Sequence, residues 1–146
     1  MHLERVPAEA AAWAVGISTK NILTLTRRGI LKAREIQALG PKKHAYVYGW
    51  DEVCFLGVLV AFQKQFSILY RASLRWKKPI QDAMRKNARF LTITNDGGVE
   101  ALSYPTGTAA RGNELDIEKF TNYNVVVFLN IQKLRRDLVE KLNTWK

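Results

Sequence analysis

Residues 16–31 read GISTKNILTLTRRGIL: a serine, four threonines or asparagines and three cations set among aliphatic residues, with a glycine near each end. Ser18 is a good N-cap for a helix over 19–28, because its hydroxyl can accept from an unpaired first-turn amide. Gly29 suits the position just past that helix, where a left-handed residue closes the last turn. Upstream, Pro7 precedes AEAAAWAV, which reads as a helix beginning at the proline and ending near residues 15–16. Two short helices joined by a tight, glycine-containing turn match a helix-turn-helix layout.

The pattern continues outward from there. ILKAREI (30–36) is a candidate strand, QALGPKK a Gly-Pro break with two lysines, and HAYVYGW (44–50) an aromatic, β-branched strand. Strand, basic loop and strand after such a helix pair would form a β-wing. Asp51 is expected to cap DEVCFLGVLVAFQKQF, a helix apolar almost all round and so buried on several sides. Ser67 restarts the chain as SILYRASLRWKK. Pro79 then breaks that helix and falls in the first turn of PIQDAMRKNARF. From Phe90 the character changes. FLTIT and VEALSY flank NDGG, a strong hairpin signal. NVVVFLNI (124–131) is a third strand, apolar enough to be central or covered on both faces. The last segment, QKLRRDLVEKLNTWK, is a helix with Leu134, Leu138 and Leu142 on one stripe.

The expected fold class is therefore α+β: an N-terminal winged helix-turn-helix, connecting helices, and a small C-terminal β-β-β-α unit. The boundary is expected near 86–90. Residues 1–88 then form the winged helix-turn-helix domain with its connecting helices. Residues 89–146 form a dimerisation or partner-binding module.

Composition narrows the function. The chain has 146 residues, 47% apolar and 25% charged, close to the globular average, so it can bury a core. Its charge of +10 is uneven: residues 1–78 carry 13 Lys/Arg against 5 Asp/Glu, and residues 79–146 carry 10 against 8. A basic half joined to a nearly neutral half suits a polyanion-binding module with a neutral companion. The single cysteine, Cys54, lies in an apolar run and reads as a small buried hydrophobe in a reducing compartment. Glu4 and Glu9 stand where a secretory signal needs a basic and then an apolar run. The longest apolar run, 53–62, is about half a membrane span. A cytoplasmic protein without membrane contact is expected.

On a helical wheel, Ile22, Leu25 and Thr26 fall on one side of 19–28, and Lys20, Thr24 and Arg27 on the other, flanked by Asn21 and Arg28. That outer side holds cations and short hydrogen-bonding groups, with no acid until Glu35. Lys and Arg neutralise phosphates, Arg can take guanine O6 and N7 together, and Asn can pair with adenine in the same two-point manner. Ser18 and Thr19 at the helix start can hold a phosphate with the backbone amides. Such a face is most often only solvated. Here the tight turn before it and the basic loop after it favour double-stranded DNA. Arg71, Arg75, Lys77 and Lys78 form a second basic set. Arg71, Arg75 and Lys78 share one face if 70–78 is helical, either for phosphates or for solvent.

Taken in order, AEAAAWAVGISTKNILTLTRRGIL, the basic loop and YGWDEVCFLGVLVAFQKQFSI resemble the DNA-binding domain of MerR-type winged-helix regulators. The matching residues are Gly16, Ile17 and Ser18; Arg28, Gly29, Ile30 and Leu31; Tyr48 with Asp51, Glu52 and Val53; and Phe66 and Ser67. The resemblance spans roughly residues 6–75. It implies a winged fold that binds duplex DNA. The family's arginine-aromatic run is replaced by Thr24, Leu25 and Thr26. Its wing run is replaced by Lys42, Lys43, His44 and Tyr46. The base preferences implied are thus this chain's own. The residues expected to meet DNA are Ser18, Thr19, Lys20, Asn21, Thr24, Arg27, Arg28, Lys42, Lys43, His44 and Tyr46.

Catalysis is not expected. His2 and His44 both lie in the N-terminal half, so no Ser–His–Asp set can be built with the C-terminal acids. NDGG lacks the Lys-Ser/Thr of a phosphate loop. No cysteine set for metal binding exists, and no cofactor is expected. A homodimer on a palindromic site is the expected assembly. Strand 124–131 and the terminal helix are candidates for its contact. The alternative is an antitoxin-like module that binds a protein partner, a toxin or another regulator, and autoregulates its own promoter. RNA is a third option, since HAYVYGW places aromatics beside cations.

Overall fold

The computed structural model describes residues 3–38, 44–66, 72–86, 88–94, 99–102 and 126–146. These residues form a mixed α and β structure with two antiparallel three-stranded sheets. The chain divides into two units: Met1–Lys77 with Leu134–Lys146, and Lys78–Lys133.

The first unit opens with a two-residue strand, β1 (Val6–Pro7), and helix α1 (Ala8–Val15). Alanine costs least to hold in a helix, and five buried alanines give α1 a slim packing surface. Gly16 ends it at φ 80°, and the amides of Gly16 and Ile17 both donate to Ala12 O, at 2.9 and 3.0 Å. Helix α2 (Thr19–Arg27) follows, with the Ser18 hydroxyl accepting from the Asn21 amide at 3.2 Å. Gly29 repeats the ending at φ 75°, with Ile30 N donating to Leu25 O at 3.0 Å. A side chain at either glycine would be strained in this left-handed region, which is why both helices stop where they do.

That second ending moves the next strand along the chain. The amides of Ile30 and Leu31 are committed to Leu25 O, and the Lys32 amide goes to Glu52 Oε2 at 3.0 Å. Strand β2 therefore runs Glu35–Ala38 rather than starting at residue 30, and Ile30 and Leu31 are buried core residues instead. It pairs with β3 (His44–Tyr48) in the register Glu35↔Val47 to Ala38↔His44, and β1 pairs with the other edge of β3. The sheet order is β1-β3-β2. A strand of only two residues offers no periodicity, so β1 had no signal in the sequence.

Helix α3 (Trp50–Phe66) is buried on all sides over Glu52–Val60, as its continuous apolar run requires. It begins one residue before Asp51. The Glu52 and Val53 amides donate to Gly49 O, while Asp51 Oδ1 accepts only from its neighbour Glu52 N at 3.0 Å. Helix α5 (Ile131–Thr144) carries the leucine stripe. Leu138 and Leu142 are buried, and Leu138 and Leu134 methyls stand 3.1 and 3.2 Å from where a Cβ would be at Gly57 of α3. Lys141 Nζ donates to Ala14 O at 3.1 Å, satisfying a carbonyl at the end of α1. These contacts group Leu134–Lys146 with the first unit, whereas sequence order had grouped it with the C-terminal strands. A 3-10 turn (Ala72–Trp76) precedes α4 (Lys77–Arg85), which keeps Pro79 in its first turn, where its missing N–H costs nothing.

The second unit contains β4 (Phe90–Thr94), β5 (Val99–Leu102) and β6 (Val126–Asn130). The hairpin register is Phe90↔Leu102 to Ile93↔Val99; its turn, 95–98, lies outside the described residues, as does 103–125. The order is β5-β4-β6. The apolar strand β6 thus takes one side of this sheet and β4 the centre, correcting the expectation of a central third strand. Asn130 Oδ1 accepts from the Lys133 amide at 2.9 Å, so β6 passes into α5 through an N-cap with no loop between them.

Removing the leucine against Gly57 tests the grouping of α5 with the first unit. Leu138→Ala is expected to lower unfolding stability by roughly 2–4 kcal/mol, as buried leucine truncations do. Urea denaturation followed by circular dichroism measures it; a change within about 0.5 kcal/mol would fit an exposed position instead.

Candidate functional site

Helix α2 has two chemically distinct sides. Ile22 and Leu25 are fully buried, and Thr26 is half-buried between them and the strands. Lys20, Asn21, Arg27 and Arg28 are exposed, with Thr24 half-exposed among them. Thr24 Oγ1 donates to Lys20 O at 2.9 Å, which leaves its lone pairs turned outward. Among the described residues no carboxylate pairs with Lys20, Arg27 or Arg28. Ser18 is exposed and Thr19 half-exposed, at the end where the first-turn amides gather. The outer side of α2 therefore concentrates positive charge and hydrogen-bond donors without internal neutralisation.

The loop residues expected to add to this side are partly out of view. Lys42 and Lys43 lie outside the described residues. The backbone of His44 opens β3 opposite Ala38, and Tyr46, half-buried, stands opposite Ile36. The strands that would carry a basic loop are thus paired and in register.

The second basic set does not form one face. Residues 72–76 are a 3-10 turn, so α-helical spacing does not apply, and Arg71 lies outside the described residues. Arg75 stacks over Trp76 at 4.8 Å, and Trp76 meets Phe62 edge-on at 5.7 Å. Lys77 is turned inward: its Nζ donates to Glu52 Oε2 at 2.9 Å and to Ile30 O at 3.1 Å. Only Lys78 of the set is simply exposed within the described part.

Three further groups bear on the site. Lys64, near the end of α3, brings Nζ to 3.2 Å from where a Cβ would stand at Gly16, beside the α1–α2 turn. Lys141 approaches the same turn from α5. Neither approach had a local sequence signal, since each depends on how distant helices pack. The third is Tyr48, buried at 1% exposure, whose hydroxyl lies 2.6 Å from Thr26 Oγ1. A signal for it did exist: a hydroxyl placed on the apolar side of α2 must find a partner.

Cys54 is the nucleophile type nearest this unit's core. It is 1% exposed, and burial pushes its thiol up to about 12, against a smaller downward pull from Arg135. Among the described residues, no three His, Cys, Asp or Glu side chains come together as a metal would need. No helix of the described residues is long and apolar enough to cross a membrane. The chain matches no protein-family model and no curated protein.

The thiol offers a check on the burial of α3. Because it stays protonated and enclosed, a disulfide indicator at pH 8 is expected to leave Cys54 unmodified in the native protein and to titrate one thiol in denaturant. Rapid native labelling would contradict the packing around α3.

Proposed function

We propose that the chain is a sequence-specific regulator that binds double-stranded DNA through a winged helix-turn-helix of the MerR type, acting in the cytoplasm. In this reading α2 enters the major groove, and the loop between β2 and β3 lies against the flanking backbone. The observation that carries it is the outer side of α2: Lys20, Asn21, Arg27 and Arg28 exposed together, with no acid paired to the three cations among the described residues. Dimensions agree. A helix of this length spans about 14 Å, enough to face roughly four base pairs, and the major groove admits an α-helix. The short α1, the left-handed turn at Gly16 and the paired strands after α2 are the arrangement such a docking uses.

Arg27 and Asn21 have the donor geometry for base edges, and Lys20 and Arg28 suit phosphates. Ser18 and Thr19 stand where a helix start meets the backbone of a duplex. One observation favours a second reading, protein–protein recognition as in an antitoxin: Trp13 on α1 is 49% exposed, a large aromatic left in water.

Selection of bound duplexes from a random pool at physiological salt tests the first reading. An enriched site is expected. The folded variant Lys20→Ala/Arg27→Ala should bind it at least tenfold more weakly, with the salt slope reduced by about two for two lost cations. Equal binding by a double variant with native circular dichroism would overturn the assignment of α2. No enrichment, with one stoichiometric protein recovered in a pull-down, would favour the second reading.

A further inference from the structure

We propose that Tyr48 is a positioning residue which, through Thr26, fixes the rotation of α2 about its own axis and so sets how sharply the protein distinguishes one duplex from another. The inference rests on the DNA-binding reading of α2 and adds to it a residue that touches no nucleic acid.

The geometry orders the hydrogen bonds. Thr26 Oγ1 donates to Ile22 O at 2.9 Å, one turn back along α2. A threonine hydroxyl has a single proton, so Thr26 can only accept from Tyr48, and the Tyr48 hydroxyl must donate across the 2.6 Å contact. The chain of bonds runs Tyr48 to Thr26 to the Ile22 carbonyl. It joins the inner end of β3 to the middle of α2. Burial raises the Tyr48 pKa above its usual value, so the hydroxyl keeps its proton throughout the physiological range.

The other inward groups of α2 hold it differently. Ile22 and Leu25 contribute apolar burial, which is strong but non-directional and tolerates a small rotation. A short hydrogen bond between two anchored hydroxyls does not, because its strength falls steeply with angle. Arg27 follows Thr26 directly in the helix, so any rotation of Thr26 turns Arg27 by the same angle. Phosphate contacts from long lysine and arginine side chains absorb such a shift. Two-point contacts to base edges do not. Loss of the tie should therefore weaken discrimination more than total affinity.

The test compares Tyr48→Phe and Thr26→Val with Thr26→Ser, each checked for native circular dichroism. For each, binding to the selected duplex and to a scrambled duplex is measured at one salt concentration. The ratio of the two affinities is expected to fall about fivefold in Tyr48→Phe and Thr26→Val, the worth of one ordinary hydrogen bond. Scrambled-duplex binding should change less than about twofold, since the phosphate-facing cations remain. The ratio should be restored in Thr26→Ser, which keeps the hydroxyl. The double variant should lose no more than either single one, because both break the same tie. An unchanged ratio in folded Tyr48→Phe, or equal losses on both duplexes, would overturn the inference while leaving the DNA-binding reading intact. A wild-type protein that selects no duplex would instead overturn that reading, and the inference with it.

Discussion

A single carboxylate gathers three separate segments of the first unit. Glu52, in the first turn of α3 and nearly buried, accepts from the Lys32 amide and from Lys77 Nζ. The same ammonium holds Ile30 O and lies over the Phe55 ring at 5.3 Å. The backbone leaving α2 is thereby pinned on both sides of Leu31, to a helix that starts about 20 residues later and to a lysine further still. A pair this enclosed contributes less through net attraction than through geometry, since both ions give up much of their water to form it. What it secures is the course of residues 30–32, and with it where β2 begins and how the β2–β3 pair stands after α2.

The same constraint explains which features could be read directly from the residues. Ser18, Gly16 and Gly29 act within one turn of helix, so their consequences are local and visible in a string of letters. The FLTIT and VEALSY runs likewise announced β4 and β5. Residues committed over long distances were opaque. Ile30 and Leu31 have the composition of a strand but spend their amides on Leu25 O. Lys77 reads as one more surface cation but is spent on Glu52 and Ile30. The apolar character of β6 suggested a central strand, because burial and centrality leave the same mark on composition. Of the candidate site, the outer side of α2 followed from periodicity alone, whereas the approach of Lys64 and Lys141 to the α1–α2 turn needed the packing of α3 and α5.

Helix α2 thus divides its duties by angle. Grease on one side provides adhesion, one hydroxyl provides aim, and the opposite side is left chemically unspent. A solvated surface helix needs only the first of these. The Thr26–Tyr48 bond is the feature that separates the two cases, because a helix with nothing to point at gains little from being aimed.

The first unit is also discontinuous: its last helix is written after the whole of Lys78–Lys133. On a ribosome, α1 to α3 emerge well before the leucines that cover Gly57. Until α5 arrives, the apolar flank of α3, including the stretch around Cys54, has no lid. The intervening strands must be synthesised in that interval. Completion of the basic unit is therefore a late event, and a nascent chain stopped short of α5 would present a sticky surface to chaperones in place of a finished domain.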